Sequence, residues 1–271
     1  MKWDHRAFES LAIDSESKEL IEALITNKIA ADKATDMIQG KGNGLIVLLH
    51  GPPGTGKTLT AEGVAEIAQK PLYRVTCGDL GTDPVRVEKY LESVFALGKR
   101  WDCVVLLDEA DVFLEQRSLM NLERNALVSV FLRVLEYYDG IMILTSNRVG
   151  TFDETFKSRI QLALRYETLN TGQRKQIWNN FVARLTHLDE PMDLEDITQH
   201  VDDLARHEIN GRQIRNVITT ARQLARFKNA RVNFAHLEHV IRVSQRFEDY
   251  ITKEVNEGAS DSVLARENMI R

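Results

Sequence analysis

The sequence predicts an α/β fold: a parallel β-sheet covered by helices on both faces, followed by a smaller, all-helical domain. Five short apolar runs rich in β-branched residues alternate with helical patterns up to about residue 170, as in proteins built from β–α–β units. One of these runs, Cys103–Asp108, stays apolar until it ends in an acid, which is typical of a central strand whose carboxyl end meets a ligand. After Leu169 only helical periodicity continues, so the strands belong to the first domain.

The individual elements follow from the same patterns. The predicted strands lie near residues 45–50, 72–76, 103–108, 140–145 and 161–166. Amphipathic helices are predicted over 14–39 and 84–99, the second with Pro84 in its first turn. We therefore divide the chain into an α/β domain over 1–169, a helical domain over 170–250 and a polar C-terminal tail over 251–271.

The composition narrows the classes of function. A net charge of −5 over 271 residues argues against nucleic-acid binding through a broad basic surface. No run approaches the roughly 18 apolar residues that a membrane span needs. Cys77 and Cys103 fall within or beside predicted strands and lack metal-ligand spacing, so we expect buried, reduced thiols rather than a disulfide. We expect an intracellular, soluble, cytoplasmic protein.

The segment Gly51–Thr58 has the sequence GPPGTGKT and stands between the first predicted strand and a predicted helix. Its glycines allow successive backbone N–H groups to turn around an anion, and its G-x-x-x-x-G-K-[ST] spacing places Lys57 for the β- and γ-phosphates and Thr58 for Mg²⁺. A glycine-rich turn without a ligand is the alternative. The residues expected to bind the nucleotide here are Gly51, Pro52, Pro53, Gly54, Thr55, Gly56, Lys57, Thr58 and Leu59.

Two adjacent acids, Asp108 and Glu109, end the central predicted strand. Beside a phosphate loop the two acids of such a pair have different roles: Asp108 would hold Mg²⁺, and Glu109 would act as general base on the attacking water. A solvated turn would also explain an acidic pair at a strand end. The phosphate loop upstream favours the catalytic interpretation.

The phosphate loop, the acidic pair and the strand-end residue Asn147 together resemble the AAA+ ATPases of the AAA branch, including a poorly characterised, largely fungal group. In that family the first two features are the Walker A and Walker B motifs. The resemblance covers nearly the whole chain and implies a P-loop NTPase sheet of strand order 5-1-4-3-2, followed by a helical lid. It further implies ATP and Mg²⁺ as cofactors, a hexameric ring of identical subunits and a macromolecular client, which we expect to be a protein rather than a nucleic acid.

The resemblance also implies roles for single residues. Asn147 matches the residue called sensor 1, which positions the attacking water, and Lys57 contacts the phosphates during catalysis. Arg159 is the arginine-finger candidate, donated to the nucleotide of a neighbouring subunit; an arginine ion-paired within its own chain is the alternative. Arg212 matches sensor 2, which contacts the γ-phosphate in cis. Ile177 matches a position that packs on adenine, although core packing would explain it equally well.

Three features depart from the family pattern. The segment after Asn147 is shorter than usual and carries one arginine, Arg159, where many members carry two. Many members of the AAA branch have a small residue in place of Arg212. Residues 77–83, which correspond to the loop that grips peptides in protein-threading members, contain no aromatic residue, and this weakens the inference of a threading pore.

The favoured function is Mg²⁺-dependent ATP hydrolysis at subunit interfaces, which drives remodelling of a macromolecule. One alternative is an ATP-gated oligomerisation module with slow turnover, against which the intact Glu109 argues. Another is a small-molecule kinase or a GTPase with the same phosphate loop. A guanine-specific Asn-Lys-x-Asp motif is missing, because Asn27-Lys28 is followed by Ile29-Ala30, and a kinase would not need the helical lid.

Overall fold

The structure is a computed structural model of the chain. It describes residues 3–4, 6–30, 44–77, 83–114, 121–148, 152, 154–186, 191–247 and 250. Internal contacts divide the chain into two compact units, Met1–Gln173 and Arg174–Arg271. Among the described helices, none is long and apolar enough to cross a bilayer. The domain limits given above, at 169/170 and 250/251, stay a prediction.

The first unit contains a five-stranded parallel sheet. Its strands are β1 (Leu45–His50), β2 (Leu72–Thr76), β3 (Val104–Asp108), β4 (Ile141–Ser146) and β5 (Leu162–Arg165). Their order is β2-β3-β4-β1-β5, which read from the opposite edge is 5-1-4-3-2. The predicted fold class and strand order are therefore confirmed.

The burial of each strand explains its place in the sheet. Residues Val104–Leu107 of β3 are fully buried, and β1 and β4 are buried along almost their whole length, because helices cover both faces of a central parallel strand. At the edge, β2 buries only Val75. The register aligns Thr76 with Asp108 and His50 with Ser146, so the carboxyl ends of four strands meet at one edge of the sheet, where open α/β sheets bind ligands.

Helices form a layer on each face of this sheet. The helices of the first unit are α1 (Arg6–Glu9), α2 (Ser15–Ala30), α3 (Lys57–Ala68), α4 (Pro84–Arg100), α5 (Asp111–Leu114) and α6 (Leu122–Glu136). One core contains Phe8, Ile21 and Val64 from α1–α3, and the other contains Leu91 and Phe131 from α4 and α6. Helix α4 matches the prediction over 84–99. The predicted helix over 14–39 begins at Ser15, and its last nine residues lie outside the described part.

The second unit is helical and has its own core. It comprises most of α7 (Thr171–Leu185), α8 (Leu194–Gln199), α9 (Val201–Arg206), α10 (Gly211–Phe227) and α11 over residues 234–247. Trp178, Leu204 and Ile214 are among the side chains buried in its core. In its described residues, the extended structure is one isolated bridge, Met192 with Val232, in keeping with the predicted loss of strand periodicity.

Candidate nucleotide-binding site

The glycine loop connects the carboxyl end of β1 to the first turn of α3. Gly51, Gly54 and Gly56 have φ values of 140°, 74° and 106°, which side chains with a Cβ rarely adopt. At Gly51 an added Cβ would lie 2.0 Å from the carbonyl oxygen of Tyr166, so only glycine fits. Gly56 caps α3 without a side-chain hydrogen bond. A glycine loop that leads into a helix start of this kind fits an anion such as a phosphate.

Lys57 lies folded over this loop. Its side chain is buried, with 6% exposure, and its ammonium Nζ donates hydrogen bonds of 2.7 Å to the carbonyl oxygens of Gly51 and Pro52. The Thr55 hydroxyl donates to the same Pro52 carbonyl at 2.9 Å, which ties the loop into a closed turn. A buried ammonium needs a partner of opposite charge or several good acceptors. Neutral carbonyls hold it here, and phosphate oxygens would hold it more strongly.

The nine residues predicted to bind the nucleotide thus all lie in this loop and the first turn of α3. They differ in burial: Thr55 and Lys57 are buried, whereas Pro53 and Leu59 are exposed.

Asp108 ends β3 opposite this turn. Its Oδ1 lies 3.5 Å from the Thr58 hydroxyl oxygen and accepts a 2.5 Å hydrogen bond from Thr145 Oγ1, while its Oδ2 accepts from Arg74 Nη2 at 2.5 Å. Hydroxyl and carboxylate oxygens are the donors that Mg²⁺ prefers. Among the described residues, no group of three or more His, Cys, Asp or Glu could hold a metal alone. The Thr58–Asp108 pair therefore fits Mg²⁺ that takes its other ligands from phosphate and water.

Glu109 differs from Asp108 in both environment and backbone conformation. Its side chain is exposed, whereas Asp108 is buried. Its φ of 58° lies in the left-handed region, which is uncommon for residues with a Cβ and clusters at functional sites. Its backbone N–H donates to Thr145 Oγ1 at 3.0 Å. Two acids adjacent in sequence thus have the separate surroundings that a metal ligand and a general base require.

Thr145 is a residue that the sequence analysis missed. Its buried hydroxyl, with 2% exposure, donates to Asp108 Oδ1 and accepts from the Glu109 N–H, so one side chain fixes both acids. The signal in the sequence was its polarity: Thr145 interrupts the apolar run Ile141–Leu144 in the middle of a buried sheet. A buried polar side chain implies a hydrogen-bond partner.

We expect Thr145→Val, which keeps the shape but removes the hydroxyl, to lower the free energy of unfolding by about 1–3 kcal/mol, because the buried Asp108 carboxylate and the Glu109 N–H each lose a hydrogen bond. We expect nucleotide hydrolysis to slow about tenfold or more, since Glu109 loses its anchor. Urea unfolding and steady-state hydrolysis measure the two effects. Thr145→Ser is the control, because it keeps the hydroxyl. Equal losses in the serine and valine variants would contradict the role of the hydroxyl.

The structure places Asn147 at the same edge of the sheet as the acidic pair, exposed and directly after β4. The backbone next to it is fixed: Ser146 Oγ donates to Asp111 Oδ1 at 2.5 Å and accepts from the N–H of Arg148 at 3.1 Å. Residues 149–151 and 153, which belong to the segment that resembles the family motif, lie outside the described residues. The role of Asn147 in orienting a water stays a prediction.

Arg159 follows a short 3-10 helix, Glu154–Phe156. Its Nη2 lies 3.4 Å from Oε2 of Glu136 at the end of α6, and its Nη1 donates to the carbonyl of Thr155 at 3.1 Å. In the single chain this arginine is therefore ion-paired, as the alternative interpretation expects. Its donation to a neighbouring subunit stays a prediction.

The remaining two predicted site residues lie in the helical unit. Arg212 is the exposed second residue of α10, next to a capping box in which Asn210 and Gln213 exchange hydrogen bonds. Ile177 lies on α7, half-buried against the core of this unit, so packing accounts for its apolar character. The predicted contacts of Arg212 with the γ-phosphate and of Ile177 with adenine therefore stay predictions.

Two titratable side chains border the loop and the acids. Burial first, and the negative charge of the nearby Asp108 second, raise the pKa of the Cys77 thiol to about 12. Burial lowers the pKa of His50, the residue before Gly51, and the positive charges of Arg165 and Lys57 lower it further. Both groups are neutral at pH 7. Cys77 is thus a buried, unreactive thiol, and Cys103 is likewise free and buried.

A strand, a glycine loop and a helix start, with an acidic pair at the end of a nearby strand, define the class of P-loop nucleoside triphosphatases. Comparison with known families identifies the branch. Residues 47–168 match the "ATPase family associated with various cellular activities (AAA)", and residues 169–258 match the "Fungal AAA+ ATPase lid domain". The chain belongs to the AAA ATPases, which confirms the predicted family, and its class of enzyme is ATP hydrolase.

Characterised relatives support the same family. The chain is 32% identical to the outer mitochondrial transmembrane helix translocase of Danio rerio, over 48% of this chain and 37% of that protein. It is 24% identical to the 26S proteasome regulatory subunit 6A of Saccharomyces cerevisiae, over 86% of this chain and 54% of that protein. It is 26% identical to the ATP-dependent zinc metalloprotease FtsH of Ureaplasma parvum, over 72% of this chain and 28% of that protein. The matched part of the chain thus spans about half or less of the length of these relatives.

Proposed function

We propose that this chain hydrolyses ATP with Mg²⁺ at interfaces between copies of itself, and that the energy released remodels a macromolecular client. One observation carries the proposal. The Thr58 hydroxyl and the buried Asp108 carboxylate lie together beside the glycine loop, and Glu109, whose side chain is exposed, directly follows Asp108. In the proposal, this arrangement would supply a phosphate grip, ligands for Mg²⁺ and a general base along one short stretch of sheet edge.

The loop would bind the phosphates in two ways. Backbone N–H groups around Gly54 and Gly56 would donate to the phosphate oxygens, and the start of α3 would add the positive end of a helix dipole. Lys57 would exchange the carbonyls of Gly51 and Pro52, which it contacts at 2.7 Å, for phosphate oxygens. This exchange favours a triphosphate because anionic phosphate oxygens replace two neutral carbonyl oxygens as the acceptors of the ammonium.

Thr58 and Asp108 would hold Mg²⁺ against the phosphates. When bound, the ion supplies positive charge that neutralises the phosphate oxygens. Glu109 would accept a proton from the attacking water, and Asn147 would orient that water. The Thr145 hydroxyl serves both acids, because it holds Asp108 through its donor and the Glu109 backbone through its acceptor.

Assembly would complete the site. In the proposal Arg159 leaves Glu136 and contacts the nucleotide of the adjacent subunit, while Arg212 contacts the γ-phosphate in its own chain and Ile177 packs against adenine. Family resemblance supports a homo-oligomer, expected as a hexameric ring, and a protein client. Another relative, the mitochondrial sorting homolog of Caenorhabditis elegans, is mitochondrial by name, and the cytoplasmic location of this chain stays a prediction.

We expect purified protein to release inorganic phosphate from ATP only with Mg²⁺, at a rate per chain that rises with protein concentration as copies associate. Phosphate release with Mg²⁺ and with EDTA, at several protein concentrations, measures this. Lys57→Ala is the control, because it removes the ammonium of the phosphate grip. The proposal fails if no Mg²⁺-stimulated release occurs at any concentration at which light scattering shows associated chains.

A further inference from the structure

Arg74 reaches from the edge strand to the carboxylate proposed to hold Mg²⁺. The register of β2 and β3 pairs Arg74 with Leu106 and Thr76 with Asp108, so Arg74 and Asp108 are diagonal neighbours on one face of the sheet. The guanidinium Nη2 lies 2.5 Å from Asp108 Oδ2. The Arg74 side chain is 53% exposed, whereas that of Asp108 is 9% exposed.

The contacts of Asp108 show what this pair does. Thr145 and Thr58 approach one carboxylate oxygen and are neutral, so among the described contacts of Asp108 the Arg74 guanidinium is the one that carries positive charge. A carboxylate in a buried strand is costly without a countercharge. Arg74 supplies that charge on Oδ2, and a divalent cation at Thr58 and Asp108 would supply it from the other side.

We propose that Arg74 is a positioning residue that acts as a tethered counter-ion of Asp108 and so sets the Mg²⁺ concentration that the site requires to bind a nucleotide. The inference rests on the proposed function. Because the guanidinium and the metal share one carboxylate, each weakens the attraction of Asp108 for the other. Arg74 stabilises the chain without nucleotide, and it raises the Mg²⁺ requirement of the site.

The test measures Mg²⁺ binding directly rather than turnover. Fluorescent methylanthraniloyl-ADP is held at a fixed concentration while Mg²⁺ is titrated from EDTA-buffered zero, with wild type, Arg74→Gln, Arg74→Met and Arg74→Lys. Two neutral variants are used so that the result does not depend on one of them folding. We expect half-saturating Mg²⁺ to fall about three- to tenfold in the neutral variants, a modest effect because the guanidinium is half-exposed. Arg74→Lys keeps the charge and should stay within about twofold of wild type.

Arg133→Gln is the matched control. Arg133 is 60% exposed and forms an ion pair with Glu88 between α6 and α4. The substitution therefore removes one positive charge, as the neutral Arg74 variants do, but at a place away from the phosphate loop and the acids. We expect its Mg²⁺ requirement to equal that of wild type. Melting without nucleotide gives a second readout: the neutral Arg74 variants should melt below wild type, and Mg²⁺-ADP should narrow the difference.

The outcomes separate this inference from the function on which it rests. Normal Mg²⁺-dependent binding of the fluorescent ADP with an unshifted or higher Mg²⁺ requirement in both neutral variants would overturn the role of Arg74 alone. An equal shift in Arg133→Gln would also overturn it, because the effect would then come from net charge. If wild type bound no nucleotide with Mg²⁺, the proposed function would fail and this inference with it.

Discussion

Glu109→Gln should lower the rate of ATP hydrolysis by about 10²- to 10⁴-fold, because an amide cannot accept the proton of the attacking water. The substitution keeps the size of the side chain. The strained backbone at 109 is held by the Thr145 hydroxyl, and Asp108 keeps its contacts with Thr145 and Arg74. We therefore expect nucleotide binding to survive and the protein to remain assembled with ATP bound.

Three measurements on this variant distinguish the possible functions. Phosphate release reports turnover, fluorescent nucleotide reports binding, and gel filtration with light scattering, with and without ATP, reports assembly. Glu92→Gln is the matched control, since Glu92 is an exposed acid on α4. If Glu109→Gln matched wild type in both hydrolysis and assembly, the result would contradict a catalytic Glu109 and favour the ATP-gated oligomerisation module.

Arg159→Ala should nearly abolish turnover while it leaves ATP binding and the fold almost intact. An arginine finger contributes about 10³- to 10⁵-fold in rate, equivalent to roughly 4–7 kcal/mol of barrier. The ion pair of Arg159 with Glu136 is partly exposed, at 27% and 29%, and a pair of this kind is worth about 1 kcal/mol or less to folding. The expected contribution of Arg159 to catalysis thus exceeds its expected contribution to folding by several kcal/mol.

Two controls decide between these roles. Glu136→Gln breaks the same ion pair but keeps the guanidinium, so it should retain most of the activity if Arg159 acts in trans. Mixing Arg159→Ala with Lys57→Ala should restore part of the hydrolysis, because some interfaces then combine an intact loop with an intact arginine. A fall in melting temperature that parallels the loss of activity, without recovery on mixing, would show that Arg159 serves only the fold.

The sheet was predictable because its signal is local. Each strand is a short apolar run, and the buried run Val104–Asp108 ends at the acid that the chemistry requires. The strand order came from the family resemblance. Strand β3 begins one residue later than predicted, β4 is displaced by one residue at both ends, and β5 is one residue shorter at each end, since hydrophobicity marks burial rather than the last ladder hydrogen bond.

The contacts that organise the site were not predictable, because they join residues distant in sequence. Arg74 contacts Asp108 only because β2 pairs with β3 in one particular register. Thr145 serves both acids because β4 is the next strand along. Arg159 pairs with Glu136, 23 residues earlier on α6. Most of the loop at 77–83 that was compared with a threading pore, and the tail over 251–271, lie outside the described residues, so those expectations stay predictions.

The left-handed backbone at Glu109 lowers the stability of the fold at the residue that the proposed activity needs. With φ at 58°, this position would suit glycine, and a side chain there costs about 1 kcal/mol or more. A chain selected only to fold would lose the carboxylate at 109. That an acid stands there identifies a place where thermostabilising design should leave the sequence unchanged, since the same substitution that relaxes the turn would remove the proton acceptor.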